Sequence, residues 1–505
     1  MKEGLALVLV VFSLSALVNG GKKFKVDVKA TKAYGPGLEP DKIVIPVRYF
    51  FIEVYDTKGN RITKSVGNPF KVLVEGETSD GRNCRVWTQI LDRYDGSYIV
   101  RYRTYQTCTK TIIHVLYNSQ DIAESPYKIP GPIYAEDCYC PNGDTEEWKE
   151  TVGCPGNYSQ IERDLSLFQE VDFDKVLKEA AVRFNQAGSR SFCNYVVKDN
   201  KIYRKCYGQH VGFNMFMDNM LHSMVRKMVL PDIEFIVNLG DWPLVDPKVK
   251  PLIPIFSWCA SEDTADIVMP TYDITEATLE MMGRVTLDLL SVQSNNDIPW
   301  PLKKSQAFWR GRDSRRERLD LIDIARQNKH LINASLTNFF FFKDEESIYG
   351  PKEKHVSFFK FFDYKYQLNI DGTVAAYRFP YLLGGSSVVL KQESPYYEFF
   401  YHDLKPYVHF VPFKRDLSDL IEKIEWARVN DDKVQEIARN GRKYVQENLM
   451  PEAIYCYHAA LFQEWSKRLT SKVNIREGME HIPTPENEKR FGDCRCHRLK
   501  RHDEL

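Results

Sequence analysis

The spacing of apolar residues changes once along this chain, and that change limits the folds open to it. From residue 24 to residue 132 apolar positions recur every second residue. Phe50, Ile52 and Val54 alternate within "YFFIEVYDTKGN" (Tyr49–Asn60), and Tyr98, Val100 and Tyr102 within "DGSYIVRYR" (Asp95–Arg103). Turns at Asp56-Thr-Lys-Gly59 and Asp95-Gly96 separate the runs, and "TKTIIHVLYNSQDIAESPYKI" adds two further strands. Short alternating strands between turn signals predict an antiparallel sandwich. After the linker "PGPIYAEDCYCPNGD" (Pro130–Asp144) helical stretches alternate with strands: "DLSLFQEVDFDKVLKEAAVRF" and "MFMDNMLHSMVRKMVL" read as helices, "SFCNYVVKDNKIYRKCYG" as a hairpin and "IEFIVNL" as a strand. Such alternation predicts parallel sheets covered by helices.

The fold class that follows is multidomain: a β-sandwich over 24–132, then an α/β region of two Rossmann-like units facing a cleft, 133–300 and 301–470, and a tail over 471–505. A length of 505 residues suits two to four domains. Near the C-terminus, Leu417, Leu420, Ile421 and Ile424 form a helical stripe, with Gly441 as a possible helix stop. No G-x-G-x-x-G fingerprint is present, so no nicotinamide or flavin cofactor is expected. Lys+Arg and Asp+Glu both number 69, so overall charge gives no argument for nucleic acid.

The ends carry addresses. Leu5–Leu17 ("LALVLVVFSLSAL") reads as the core of a signal peptide over residues 1–20, too short to span a bilayer, and no later run reaches that length. The last four residues, HDEL, are a retrieval signal read by a receptor of the endoplasmic reticulum (ER). Together they predict a lumenal protein with no membrane span. Eleven cysteines in an oxidising compartment predict disulfides of undetermined connectivity with at least one thiol left over; zinc is disfavoured because Cys138-Tyr-Cys140 and Cys494-Arg-Cys496 lack companion histidines. The sequons at Asn157 and Asn333 predict surface N-glycosylation.

Three segments could carry chemistry. In "IEFIVNLGDWPLVD" (Ile233–Asp246), Asp241 follows a greasy strand and precedes Trp242-Pro243. It is either a turn or capping residue, or a desolvated general base at the strand end where open α/β sheets place ligands. In "AFWRGRDSRRER" (Ala307–Arg318), Arg310, Arg312, Arg315, Arg316 and Arg318 crowd behind Gly311, which would let a phosphate approach the backbone; the alternative is a solvated basic helix start. In "YKYQLNIDGTVAAYRFPYLL" (Tyr364–Leu383), a strand and turn precede a helix opening on Thr373, Val374, Ala375 and Ala376. Its amides and Arg378 suit phosphate, and Glu393 beyond the next strand suits a ribose hydroxyl.

"YGPGLEP", "DGSYIVRY" and "ESPYKI" in the N-terminal part resemble a filamin-type immunoglobulin-like repeat. "NLGDWP", "FWRGRDSRRER", "NIDGTVAAYRFPYLL" and "PYYEFFYHDLKPYVHFVPF", with that repeat and the retrieval signal, resemble the ER protein O-glucosyltransferases, in their longer KDEL-motif-containing branch. The resemblance covers essentially the whole chain. It implies a GT-B architecture and inverting, metal-free transfer of glucose from UDP-glucose, as donor substrate rather than cofactor, to serines of EGF-like repeats in secreted or membrane proteins. UDP-xylose as donor and a non-catalytic ER quality-control or binding protein on the same fold are the alternatives. Carried onto this sequence, the resemblance puts the catalytic aspartate at Asp241, donor contacts at Arg312, Arg318 and Thr373 through Tyr377 to Arg378, and the acceptor cleft beside Trp242 and Pro243. The shorter members' Cys-bracketed acceptor segment is missing from Met215–Met224, which leaves the acceptor open.

Overall fold

The computed structural model describes residues 24–40, 48–185, 191–279, 287–294, 298–484, 494 and 496; the expected signal peptide and the HDEL terminus lie outside them. The N-terminal strands are β1 (Lys32–Tyr34), β2 (Arg48–Glu53), β3 (Phe70–Glu77), β4 (Val86–Asp92), β5 (Ser97–Thr104), β6 (Thr109–Tyr117), β7 (Gln120–Asp121) and β8 (Tyr127–Ile129). They make two antiparallel sheets, β1-β2-β5-β4 and β3-β6, the latter with β7 and β8 on β6. Phe50, Ile52, Val54, Tyr98, Val100 and Tyr102 fill one core, as period-two alternation requires. β5 departs from a half-solvated strand. Its other face is also covered, with Ser97, Ile99 and Arg101 all buried, and Ile99 belongs to the core of the region that follows.

That region starts with helices α1 (Thr145–Val152), α2 (Ser159–Leu165) and α3 (Phe173–Phe184), followed by β9 (Phe192–Lys198), β10 (Lys201–Tyr207), α4 (Asn214–Lys227), β11 (Ile233–Asn238), β12 (Ile255–Ser257), β13 (Ala260–Ser261), β14 (Ile267–Val268), α5 (Tyr272–Leu279) and α6 (Leu289–Ser294). Asp144 starts α1 through a capping box with Glu147. Together with β21 (Glu480–Ile482) the strands form a six-stranded sheet, β14-β12-β11-β9-β10-β21. β11, β12 and β14 run parallel, as expected; β9, β10 and β21 run antiparallel. The hairpin explains the difference. Asp199 and Asn200 take positive φ, the two-residue turn that reverses a strand at once, and Cys193–Cys206 closes it. β11 is buried along its length, so its one carboxylate, Glu234, needs a partner; Arg476 donates to it from Nη2 at 2.8 Å.

The second sheet is wholly parallel: β15 (Lys304–Arg312), β16 (Ile332–Asn338), β17 (Tyr364–Asn369), β18 (Val388–Gln392) and β20 (Val411–Phe413) in the order β16-β15-β17-β18-β20. Helices α7 (Arg316–Gln327), α8 (Glu346–Tyr349), α9 (Phe379–Gly384), α10 (Leu420–Val429) and α11 (Asp431–Asn448) accompany it, whereas α12 (Pro451–Ser466) returns to the first sheet, where Trp465 donates to the Glu234 carbonyl of β11 at 2.8 Å. Leu417, Leu420 and Ile424 are buried as the stripe predicts, although α10 begins at Leu420. Gly441 does not stop a helix. α11 runs through it, and a Cβ there would lie 2.8 Å from the His409 carbonyl oxygen, so the glycine serves close packing. β13 pairs antiparallel with β19 (Tyr396–Tyr397), a short ladder joining loops of the two sheets.

Ten cysteines pair as Cys84–Cys108, Cys138–Cys494, Cys140–Cys496, Cys154–Cys456 and Cys193–Cys206, leaving Cys259 free and buried. Three of the five tie the linker region to the far end of the chain. Asn157 is exposed, whereas Asn333 lies half-buried in β16 with its amide donating to the Tyr364 hydroxyl at 2.9 Å. That is not the surface position its sequon suggested; the strand fixes the amide against a neighbour. Among the described residues no helix is long and apolar enough to cross a membrane.

Candidate active site

The loop after β11 separates turn-making from chemistry. Asn238 makes the turn: its Oδ1 accepts the Gly240 N–H at 2.9 Å and its Nδ2 donates to the Trp242 carbonyl at 2.6 Å. Asp266 anchors the continuation, accepting the N–H groups of Leu244 at 2.9 Å and Val245 at 2.8 Å. Asp241 is left with neither task. Among the described residues its carboxylate accepts one hydrogen bond, from the Tyr272 hydroxyl at 3.1 Å. Burial raises its pKa above the ordinary carboxylate value, while that hydrogen bond and the charge of Arg312 pull the other way. Tyr272 is itself held at the start of α5 by the rings of Phe216 (4.8 Å), Phe213 (5.1 Å), Tyr377 (5.5 Å) and Trp258 (5.7 Å).

Asp241 opens onto a cavity of about 600 Å³ whose opposite wall comes from the strand ends of the second sheet: Arg312, Arg318 and Thr373 through Arg378. The expected acid and the two expected anion-binding segments thus meet in one space. The arginine cluster divides. Arg310 lines the cavity but is tied to Asn333, Arg316 forms a two-bond pair with Glu345 on the surface, and Arg315 turns toward Asp371 at 3.5 Å. Arg318 is buried, and three of its nitrogens donate to the carbonyls of Asp371 (2.7 Å), Arg312 (3.0 Å) and Ile370 (3.0 Å). It therefore binds the two loops together and sets a positive field beneath them. Arg312 is exposed to the cavity with no hydrogen bond or ion pair from its guanidinium among the described residues. Gly311 lines the cavity and also serves packing, because a Cβ there would meet the Trp309 ring at 2.6 Å.

The third segment differs from its expected form. Thr373–Ala376 are a bent loop, and α9 starts only at Phe379, with Arg378 as its N-cap. The Gly372 N–H donates to the Val374 carbonyl at 2.9 Å, a tight bend that a helix start would not allow. As a result the backbone N–H groups of Thr373, Val374, Ala375 and Ala376 have no partner among the described residues. Anion binding here would use a loop of free amides, not a helix dipole. Arg378 lines the cavity and donates from Nη1 to the Arg310 carbonyl at 2.6 Å. Burial lowers its pKa to about 10, with Asp273 opposing the shift. Tyr377 is buried, its hydroxyl donating to the free Cys259 sulfur at 3.4 Å.

Two expected residues fall elsewhere. Glu393 is exposed beside a separate cavity of about 580 Å³, with Glu262, Lys391 and Arg415. Its N–H pairs with the Phe413 carbonyl of β20 at 2.8 Å, so the β18–β20 ladder extends to Glu393. Pro243 is buried under the loop, whereas Trp242 is 46% exposed and stands edge-on to Tyr396 at 6.2 Å. Sequence reasoning missed Tyr272 and Asp273. The latter also lines the cavity; burial lifts its carboxyl to about 6, the charge of Asp241 adds to the shift and Arg378 counters it. Their only local signal is a helix start after Pro270-Thr271, which says nothing of what the helix end faces. Among the described residues no group of three or more His, Cys, Asp or Glu is arranged to hold a metal ion.

Comparison with known proteins adds the lineage. Residues 149–495 match Glycosyl transferase family 90, and residues 25–128 match the Filamin/ABP280 repeat. Protein O-glucosyltransferase 2 of Danio rerio is 50% identical over 94% of this chain and 94% of its own. Protein O-glucosyltransferase 3 of Homo sapiens is 44% identical over 95% of each. Protein O-glucosyltransferase 1 of Homo sapiens is 31% identical over 65% of this chain and 84% of its own. With the family match covering most of its length and including every residue that lines the cavity, the chain belongs to glycosyl transferase family 90, preceded by a filamin repeat.

Proposed function

We propose that this protein is an inverting protein O-glucosyltransferase of the ER lumen, moving glucose from UDP-glucose to a serine hydroxyl of EGF-like repeats on a GT-B architecture and without a metal. The observation that carries the reading is the single cavity with Asp241 on one wall and Arg312, Arg378 and four free amides on the other. UDP-glucose would lie with its diphosphate against the second wall and C1 of glucose toward Asp241. The acceptor serine oxygen attacks C1 from the face opposite the diphosphate, forming the new C–O bond as the bond to UDP breaks. Asp241 takes the hydroxyl proton, and the product carries a β-linked glucose. Its raised basicity suits that task, and the hydrogen bond from Tyr272 aims the other carboxylate oxygen.

The departing UDP gains negative charge. Arg378 and the amides of Thr373–Ala376 can donate to it directly, and Arg318, with four of its N–H groups committed, contributes field and rigidity. These cations take the part a divalent ion plays in other transferases. Trp242 and Tyr396 at the rim offer an aromatic surface to the acceptor. Five disulfides and the activity in the relatives' names support a lumenal protein-modifying role. The retrieval receptor is then the second partner, through HDEL.

The test is mass spectrometry of folded EGF-like repeats incubated with a panel of UDP-sugars, in excess EDTA and with added Mn²⁺. Hexose addition from UDP-glucose that survives EDTA is expected. Pentose transfer from UDP-xylose alone, or activity lost in EDTA and restored by Mn²⁺, would overturn the corresponding part of the reading.

A further inference from the structure

The doubly buried strand β5 marks where the filamin repeat meets the catalytic region. Arg101, on its outer face, is set in place from within the repeat: its Nε donates to Gln89 Oε1 at 2.7 Å, and its guanidinium lies 5.6 Å from the centre of the Trp87 ring. From there its Nη1 reaches Asp288 Oδ2 at 3.0 Å, a pair whose side chains are both 10% exposed. Asp288 in turn begins α6, accepting the Ser291 N–H at 2.8 Å and the Ser291 hydroxyl at 2.7 Å. The far end of α6 is held from the same side. Arg442 of α11 donates to the Gln293 carbonyl at 2.7 Å while lying 3.7 Å from Asp95, in the Asp-Gly turn before β5.

α6 is no bystander to the cavity. Leu287, the residue before Asp288, lines it. The inner side of α6 packs on α9, where even a Cβ added at Gly384 would come within van der Waals contact of Val292 and Leu289. α9 carries Arg378 at its start, and its Tyr381 also lines the cavity, donating to the Asp273 carbonyl at 2.9 Å. One chain of contacts therefore runs from the filamin repeat through a buried ion pair and α6 to the wall that bears Arg378.

We propose that the filamin repeat is a positioning part of the catalytic apparatus, with Arg101, acting through Asp288, fixing α6 and hence Leu287 and the α9 wall of the donor cavity. The proposal rests on reading that cavity as the UDP-glucose site. It assigns the repeat a task beyond spacing the enzyme or meeting acceptors, and makes Arg101 a positioning residue remote from substrate. A short buried pair suits this use because its geometry is tightly set and its partners cannot be exchanged for water.

The experiment uses the full-length chain and three variants: Arg101→Gln, Arg101→Lys and, as a control, Lys110→Gln, whose exposed pair with Glu77 sits on the other sheet. UDP affinity is read by calorimetry, and kcat and KM for UDP-glucose with an EGF-like acceptor. Arg101→Gln should weaken UDP binding and raise KM by about tenfold, one decade being 1.36 kcal/mol, with a smaller effect on kcat. Arg101→Lys should recover most of the loss, and Lys110→Gln should behave as wild type. A lowered melting temperature for Arg101→Gln with UDP affinity and KM unchanged would reduce the pair to a structural contact and overturn the proposal. If Arg101→Gln does not fold, Asp288→Asn keeps an oxygen to accept the Ser291 N–H that starts α6, while its amide NH2 replaces the oxygen shared by Arg101 and the Ser291 hydroxyl. The same rise in KM is expected, and an unchanged KM again overturns it. Wild type that binds no UDP would instead sink the donor-site reading itself, and this proposal with it.

Discussion

Replacing Asp241 by Asn removes one proton-accepting oxygen and almost nothing else. The side chains have the same shape, and Asn Oδ1 can accept the Tyr272 hydrogen bond that Asp241 accepts at 3.1 Å. The turn survives, since Asn238 and Asp266 make it. General-base assistance is typically worth 10²–10⁴-fold, so Asp241→Asn should lose about 3 to 5 kcal/mol of transition-state stabilisation. Stability should move the other way. Burial raises the Asp241 pKa, so the folded state disfavours its charge; the penalty is present above the folded pKa and disappears as pH falls through it, and a neutral side chain escapes it. If the cavity receives the diphosphate as proposed, removing a carboxylate from it should leave UDP affinity equal or higher. Single-turnover transfer by mass spectrometry, UDP calorimetry and thermal melting together read the three effects. Wild-type turnover by Asp241→Asn, or collapse of both melting temperature and UDP affinity, would refute the reasoning.

Two other outcomes follow from the cavity. Arg378→Ala should weaken UDP binding by at least tenfold, consistent with about 1.5–3 kcal/mol for a hydrogen bond to a charged group. Glu393→Gln, beside the other cavity, should leave it unchanged, and a matching loss there would return Glu393 to the donor site. The acid limb of kcat/KM should reflect protonation of Asp241. Asp273→Asn should leave that limb in place, because burial, the Tyr272 hydrogen bond and Arg312 set the Asp241 shift, whereas the charge of Asp241 acts on the Asp273 carboxyl. A limb that moves would couple Asp273 to the reacting carboxylate.

How much of this could be read from the chain depends on the range of the cause. Alternation of Phe50, Ile52 and Val54 against Tyr98, Val100 and Tyr102 specifies a sandwich because period two is a local property. The buried run Ile233–Asn238 likewise marks a central strand. Asp241, Arg312, Arg318 and Arg378 were visible because each sits where a strand or its loop ends, and strand ends are where such sheets gather ligands. Thr373–Ala376 misled. Their small side chains suit both a helix start and a tight loop, and the Gly372–Val374 bend that decides between them is a matter of backbone geometry.

Sequence alone determined the two architectures in series, the acid and the basic segments, and the lineage that their conjunction resembles. Tertiary structure decided which groups act together. It released Asp241 from turn-making by assigning that work to Asn238 and Asp266, added Tyr272 and Asp273 from a distant helix, and set Glu393 beside another cavity. It split five neighbouring arginines into a surface pair at Arg316, an inward pair at Arg315, an internal brace at Arg318 and cavity cations. It also set Arg101 of the N-terminal repeat on Asp288, at a separation no local pattern encodes. The physical reason is the same throughout. Periodicity reports on neighbours a few residues apart, whereas the protonation, burial and partners of a charged group are set by whatever the fold brings against it.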